Sequence, residues 1–364
     1  MMKQILVFNL GSTSLKYKIF GINQDNKLKL LRSGGFDNIG EGKRLTHDEA
    51  IKLVIRAIGN LTHIAVIGHR VVHGGNEFLI PTKIDQISLK SLEKYNRLAP
   101  LHNPYNLLGI RSCLTYFSNI PNIAVFDTAF FRNLPLKAKI YPIPFDYYKK
   151  FGLERFGFHG ISHKYLAETA AQKLKKSLAK LNLITCHLGG GCSIAAIKAG
   201  QAIDVSLGFT PLEGLMMMTR SGDLDPGIVL EIQQLLLRED FNTYKNAQDL
   251  LVATDRILNK ESGIKGLAGM DDYLKLLRIK NKSPRAKLAF EIFIYRLQKY
   301  ISAYWGILGK ADAVVFGGKI GSGNPITRRT AIKDLKFLKK TKILAIKTDE
   351  ELAIAKECLR FLNL

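Results

Sequence analysis

Hydrophobic and polar positions change their period several times along the chain, and each change predicts an element. Residues 5 to 8 form a short continuous apolar run that breaks at Asn9-Leu10-Gly11-Ser12-Thr13-Ser14. Leu15, Tyr17 and Ile19 then alternate with Lys16 and Lys18, and after the turn-prone Asn23-Gln24-Asp25-Asn26 residues 27 to 31 alternate again. This pattern predicts three antiparallel strands with a hydroxyl-rich first turn. Half a chain later the plan returns. Residues 183 to 188 run into Gly189-Gly190-Gly191, residues 192 to 198 follow, and the turn Ala199-Gly200-Gln201 leads to residues 202 to 206. Further strands are predicted at 63 to 67, 122 to 126 and 311 to 316, and helical periodicity covers 162 to 179, 226 to 237 and 284 to 308. Strands alternating with helices predict an α/β class, and two copies of one plan predict a duplicated fold with a cleft between its halves. The repeat puts the domain boundary near residue 130.

Composition narrows the class. At 364 residues, two domains of comparable mass are expected. Hydrophobic residues at 46% and charged residues at 23% exclude a disordered or fibrous chain. Cys113, Cys186, Cys192 and Cys358 are scattered, with none of the close spacing of a zinc ribbon or redox motif, so a reducing cytoplasm is the expected location. The first residues turn polar too early for a signal segment, and no apolar run approaches a membrane span, so a soluble, unprocessed chain without a membrane partner is expected. The net charge of +23 by itself points to nucleic acid or an anionic membrane. Its distribution points away: lysines are sprinkled along the chain with modest clusters at 173 to 180 and 336 to 342, and no zinc-finger, RNP or basic-arm pattern accompanies them. No specific nucleic-acid partner is expected.

Several segments carry candidate chemistry. The Asn9 to Ser14 turn can cradle phosphate oxygens with N–H groups and hydroxyls, with Lys16 adding charge, or it can be a hairpin that favours Gly and Ser. Gly189-Gly190-Gly191 equally admits close backbone approach to a ligand or a flexible hairpin. In Gly68-His69-Arg70-Val71-Val72-His73-Gly74-Gly75 the arginine follows a strand and offers a fork for phosphate or carboxylate. His69 and His73 lie four apart, but the flanking glycines oppose a helical metal pair, and the two histidines are expected to orient the arginine loop. Asp127 ends the strand at 122 to 126, where α/β sheets bind ligands. Arg220 follows a run of methionines that alone signals core packing, and His159 stands between aromatic residues and glycine.

Together the segments resemble the acetate kinases. NLGSTSLKYKIF, GHRVVHGG, LAPLHNPYNLLGI, VFDTAFF, RFGFHGISHKYL, CHLGGGCSI, GFTPLEGLMMMTRSGDLDPG, NKESG and TDEELAIA occur in the order of that family, over residues 3 to about 355. The resemblance implies a duplicated RNase H-like fold shared by acetate and sugar kinases, Hsp70 and actin, with two domains flanking a catalytic cleft. It divides the chain into residues 1–130, rejoined by 352–364, and a nucleotide-binding domain of 131–351. It implies transfer of phosphate from ATP to acetate giving acetyl phosphate and ADP, with Mg2+ or a substituting Mn2+, in a homodimer.

Residue by residue, the resemblance makes Asp127, His159, Arg220 and Arg70 catalytic and gives Arg70, Val72, Leu101, Phe158 and Pro211 to the carboxylate substrate. It assigns Ser12, Ser14, Lys16, His187, Leu188, Gly189, Gly190, Gly191, Asp271, Lys319, Ile320, Gly321, Ser322 and Gly323 to nucleotide and phosphate, and Asn9 and Glu350 to the metal. The chain departs from the family where HLGNG becomes His187-Leu188-Gly189-Gly190-Gly191 and DTAFH becomes Asp127-Thr128-Ala129-Phe130-Phe131. On the adenosine side Gly-Ile-Gly-Glu-Asn becomes Lys319-Ile320-Gly321-Ser322-Gly323, and Tyr273 stands about where an arginine is usual. The variant expectations are a propionate or butyrate kinase, an altered donor such as GTP or pyrophosphate, and a regulatory binding role.

Overall fold

The computed structural model describes residues 2–40, 42–43, 45–59, 63–100, 102–239, 244 and 246–362. The chain divides into two compact units, one of Met1–Arg132, Phe158–Tyr165 and Asp349–Leu364, the other of Asn133–Gly157 and Leu166–Thr348.

The first unit is built on β1 (Gln4–Leu10), β2 (Ser14–Ile22), β3 (Leu28–Asp37), β4 (Ile64–Val71), β5 (Thr82–Lys83) and β6 (Asn122–Phe126), ordered β3-β2-β1-β4-β6-β5. β1, β2 and β3 form an antiparallel meander, while β4 and β6 add in parallel beside β1. Successive side chains of a strand point to opposite faces. Leu6, Phe8 and Leu10 therefore join Ile51 and Val54 of the helix His47–Ile58 and Cys113 of the helix Asn103–Tyr116. Ile5 and Val7 join Val66, Ile123 and Val125 against Ile354, Ala355 and Cys358 of the helix Glu350–Leu362. A strand covered by helices on both faces has no polar side, and so its sequence is a continuous apolar run.

The second unit repeats the plan with β7 (Asn182–Leu188), β8 (Cys192–Lys198), β9 (Gln201–Val205), β10 (Ala313–Gly317) and β11 (Lys342–Ala345), ordered β11-β10-β7-β8-β9. Again three antiparallel strands are extended by two parallel ones. The helix Pro284–Leu308 packs on β8, burying Ala286, Ala289, Phe293, Leu297, Ile301, Tyr304 and Leu308 at helical spacing. Ser283 caps its start by accepting the Ala286 N–H, Pro284 occupies its first turn, and Gly309 ends it at φ 71°. The helix expected at 162 to 179 is shorter, Gly160–Leu174, because Lys175 adopts a left-handed φ of 52° and a separate turn covers Leu178–Lys180.

Candidate active site

In the first unit, three neighbouring strands turn polar on the same face at their carboxyl ends. The face that carries Ile5 and Val7 reaches Asn9 at the end of β1; on β4 the equivalent series is Val66, Gly68, Arg70, and along β6 it is Ile123, Val125, Asp127. Each series is apolar under the helix Glu350–Leu362 and turns polar at the strand's carboxyl end. Close packing is required in between: a Cβ on Gly68 would lie 2.6 Å from Cys358 Sγ and 2.7 Å from Ile354 Cγ2. That helix thus begins directly over the polar ends.

Arg70 donates from Nε and Nη2 to Asp127 Oδ2 at 3.1 and 2.7 Å, and its Nη1 lies 3.1 Å from Glu350 Oε2. Asn9 Nδ2 donates to Glu350 Oε2 at 3.4 Å and Glu351 Oε1 at 3.0 Å. Both neighbours are acceptor-only carboxylates, so the amide nitrogen faces them and the Asn9 carbonyl oxygen is directed elsewhere. Lys18 completes the cluster, 2.7 Å from Asp349 Oδ1 and 3.3 Å from Glu351 Oε2. Burial opposes the Arg70 charge, but Asp127 and Glu350 outweigh it and hold the guanidinium above the ordinary arginine range. Burial pushes the Asp127 carboxyl up, with Arg70 pulling it back. Lys18 also loses water by burial, yet Asp349 and Glu351 raise it overall.

Backbone bonds fix the loop after β4. Asn103 accepts the His73 N–H at 2.9 Å and donates to the His73 carbonyl at 2.9 Å, while Asn106 accepts the Val72 N–H at 3.0 Å and donates to the Leu10 carbonyl at 2.5 Å. His69 Nε2 bonds Asn122 Oδ1 at 2.7 Å, and His73 Nδ1 accepts the Gly75 N–H at 2.9 Å. Both histidines are buried, which lowers His69 to about 4 and His73 to about 3. Phe158 stands edge-on to His73 at 5.5 Å between centroids. His159 holds a left-handed φ of 59°, and the next residue packs tightly: a Cβ on Gly160 would sit 2.1 Å from the Asp127 carbonyl oxygen, which accepts the Gly160 N–H at 2.9 Å. Ser12 and Ser14 are half-buried and Lys16 is exposed, around a turn closed by the Gly11 N–H to the Ser14 carbonyl at 2.8 Å. Leu101 lies outside the described residues.

In the second unit the strand ends carry glycine instead. His187 and Leu188 end β7, and Gly189-Gly190-Gly191 connects to β8, with the Gly189 N–H donating to the Gly191 carbonyl at 3.0 Å. β10 runs into the helix Gly318–Gly323, which holds Lys319, Ile320, Gly321, Ser322 and Gly323. Gly318, at φ 74°, passes so close to β7 that a Cβ would lie 2.3 Å from the Leu188 carbonyl oxygen. Ser322 Oγ donates to the Gly318 carbonyl at 2.7 Å, and Arg328 Nη1 donates to the Gly321 and Ser322 carbonyls at 2.7 and 2.8 Å. A Cβ on Gly190 or Gly323 would meet nothing within 4 Å. Asp271 is exposed, while Tyr273 is buried, its hydroxyl bonded to Thr327 Oγ1 at 2.8 Å and its ring 5.3 Å from Phe293.

Arg220 belongs to the second unit. Its Nη1 donates to the Pro211 carbonyl at 3.2 Å and lies 3.6 Å from Met217 Sδ. Among the described residues no carboxylate of its unit pairs with it, and burial holds its guanidinium below the ordinary arginine range.

Lys18, Asp349, Glu351, Asn103 and Asn106 were not among the residues expected at a site. The asparagines had a signal, two amides three apart at the start of an otherwise apolar helix, a spacing that puts both on one face. Lys18 had none, since on an alternating strand it reads as solvated.

Comparison with known proteins gives the family. The profile of the Acetokinase family matches residues 4–358. An acetate kinase of Halothermothrix orenii is 39% identical over 99% of this chain and 100% of that protein. A crystal structure of a propionate kinase from Francisella tularensis is 34% identical, with a TM-score of 0.86 over 98% of this chain and 99% of that one. A putative N-acetylmannosamine kinase from Listeria monocytogenes, 12% identical with a TM-score of 0.50 over 99% of this chain and 100% of that one, shares the fold alone. The duplicated α/β fold is therefore that of acetate and sugar kinases, and with a family match running from β1 into the last helix, the chain belongs to the Acetokinase family, a family of kinases.

Proposed function

We propose that the protein is an acetate kinase that reversibly transfers the γ-phosphoryl group of ATP to acetate, giving acetyl phosphate and ADP by direct in-line displacement. The observation that carries this reading is the cluster of Asn9, Arg70, Asp127 and Glu350 at adjoining strand ends. An acetate oxygen attacks the γ-phosphorus, the bond to the β,γ-bridging oxygen breaks, and ADP leaves with the electron pair. Acetate is ionised at neutral pH, so no base is needed, and catalysis rests on positioning and charge neutralisation. Asp127, buried and bonded twice to Arg70, acts by aiming that fork at the carboxylate and the phosphoryl oxygens. Arg220, which no carboxylate among the described residues of its own unit satisfies, supplies the second fork. His159 donates a hydrogen bond to the equatorial oxygens.

The donor set beside Asn9 fits Mg2+. Among the described residues no three His, Cys, Asp or Glu side chains form a cage. Mg2+ asks for less, one or two carboxylates with waters and substrate phosphates. Four carboxylates, Asp127, Asp349, Glu350 and Glu351, stand against the two cations Arg70 and Lys18, leaving an excess of negative charge. Glu350, with Asn9 beside it, would hold the ion, which would neutralise the nucleotide phosphates when bound. Val72 and Phe158, both buried in the first unit, are the residues proposed for the acyl side there.

The proposed homodimer is supported by the exposed apolar residues Ile228, Leu230, Leu235, Leu251 and Val252 on two contacting helices, Pro226–Glu239 and Ala247–Arg256. The cytoplasm is the proposed location; among the described residues no helix is long and apolar enough to cross a membrane. Propionate is the second acceptor to test, because a solved relative is named a propionate kinase and one methylene changes selectivity by only about 1–3 kcal/mol.

A hydroxamate assay for acyl phosphate with acetate, propionate or butyrate and Mg-ATP, Mg-GTP or pyrophosphate tests the reading. Acetyl phosphate from Mg-ATP is expected, abolished by chelator. No acyl phosphate with any donor would leave a binding role.

A further inference from the structure

The inference rests on the role given to Arg220 above. Among the described residues the fork has one backbone acceptor, the Pro211 carbonyl, and no carboxylate of the unit holds it, so that bond sets its direction. Pro211 lies in the middle of the short segment from Phe209 to Glu213, so whatever fixes that segment aims the arginine.

Both ends of the segment are tied to the same half-buried group of side chains. At one end the Phe209 N–H donates to the Tyr141 hydroxyl oxygen at 2.8 Å. At the other, Glu213 accepts from Arg155 Nη2 through Oε1 at 2.5 Å and from the Tyr141 hydroxyl through Oε2. Arg155 spends its other donors on main chain: Nη1 reaches the Val205 and Leu207 carbonyls at 3.1 and 3.2 Å, and Nε reaches the Ala138 carbonyl at 3.1 Å. The guanidinium also lies 5.3 Å from the Tyr141 ring centroid. The approach is so close that a Cβ on Gly208 would fall 1.7 Å from Glu213 Oε2 and 2.0 Å from the Tyr141 oxygen, which leaves glycine as the residue that fits.

The loop is closed separately further on. Asp223 accepts the Gly214 N–H at 2.7 Å and the Tyr300 hydroxyl at 2.7 Å, and its carbonyl accepts from Arg296 at 2.9 Å. That closure sets the backbone on either side of Arg220. It does not touch Pro211, whose position depends on the Glu213 group. Glu213 is the only member of that group within the segment itself, and as a charged acceptor between two donors it makes the stronger kind of hydrogen bond.

We propose that Glu213, held by Arg155 and Tyr141, is a positioning residue that aims Arg220 at the transferring phosphoryl group through the Pro211 carbonyl. It touches neither substrate nor nucleotide. Its removal should lower kcat while leaving the KM for ATP in place, and its whole effect should pass through Arg220.

A double-mutant cycle reads this directly. Glu213→Gln should reduce kcat about tenfold or more in the native enzyme and by less than about twofold in an Arg220→Ala background, while its effect on the urea midpoint is the same in both backgrounds. Tyr141→Phe, which keeps the ring and removes the shared hydroxyl, should show the same pattern with a smaller loss, and it serves as the variant of record where Glu213→Gln does not fold. Equal fold-losses in both backgrounds, with Arg220→Ala itself severely impaired, overturn the positioning role and leave the catalytic role of Arg220 standing. Near-normal turnover of Arg220→Ala overturns both.

Discussion

The two units share a strand order, a meander followed by two parallel strands, and finish it with opposite chemistry. Asn9-Leu10-Gly11 at the end of β1 corresponds to His187-Leu188-Gly189 at the end of β7. Beside the first, one step past the Phe8–His69 pair, stands Arg70; beside the second, paired with His187, stands Gly317. One unit crowds its strand ends with ionised side chains that hold one another, and the other clears them down to main chain. A duplicated fold supplies two places where strands open their carboxyl ends. What each place can do depends on whether side chains or backbone N–H groups reach it.

The largest test of this contrast removes one arginine from each unit. Arg70→Ala and Arg220→Ala should each lower kcat on the order of a hundredfold to a thousandfold. Their stabilities should part. Arg70 neutralises buried Asp127, so its loss should cost about 3–5 kcal/mol, whereas Arg220 leaves no carboxylate of its unit behind and should cost no more than about 1 kcal/mol. Urea melts of the two variants decide it, and equal losses would erase the distinction.

Acid should separate the units next. His69 and His73 are held down to about 4 and about 3 from an unfolded value of 6.5. Their contribution is complete above pH 6.5; below it the unfolded chain takes up protons that the native chain refuses. Stability is therefore lost as the pH falls from 6.5 towards 4, by about 2 kcal/mol per histidine by pH 5. Hydrogen exchange should show the first unit loosening first, and His69→Gln should flatten the dependence. A urea midpoint unchanged from pH 7 to 5 would contradict this.

Glycine substitutions probe the other side of the comparison. Gly318→Ala combines a left-handed φ with a clash against the Leu188 carbonyl and should cost about 1–3 kcal/mol or more, visible as a lowered melting temperature. Gly190→Asn, set in open space, should fold as the native chain does and lower the KM for nucleotide. A loss of stability at Gly190 as large as at Gly318 would mean that the turn is packed.

The smallest effect concerns the base of the nucleotide. With serine and glycine at 322 and 323 in place of a longer acid and amide, ATP and GTP should give kcat/KM values within about tenfold, or about 1.4 kcal/mol. Ser322→Glu with Gly323→Asn should sharpen the preference for ATP, a change open to direct steady-state comparison. Strong rejection of GTP by the unmodified enzyme would assign base selection to other residues.

Much of this was legible because it is local. A period of two, a period of 3.6 and the glycine breaks are properties of neighbouring residues, so the strands of both meanders and the helix Pro284–Leu308 follow from the chain directly. The motifs that resemble acetate kinases also name Asn9, Arg70, Asp127 and Glu350 one by one. Tyr273 shows the limit: the sequence places it about where an arginine is usual, and only packing decides that it turns inward to Thr327 and Phe293.

What the sequence determined, then, is which segments form strands and helices, that the plan occurs twice, and which side chains carry charge at the strand ends. Only the tertiary structure decided how those charges are partnered. The bond from Asn9 to Glu351 spans 342 positions, that from Lys18 to Asp349 spans 331, and Glu213 meets Arg155 across 58. No periodicity extends over such distances. They are set when a terminal helix lands on β1 and β4, and when a glycine lets two segments approach closely enough for a carboxylate to meet two donors.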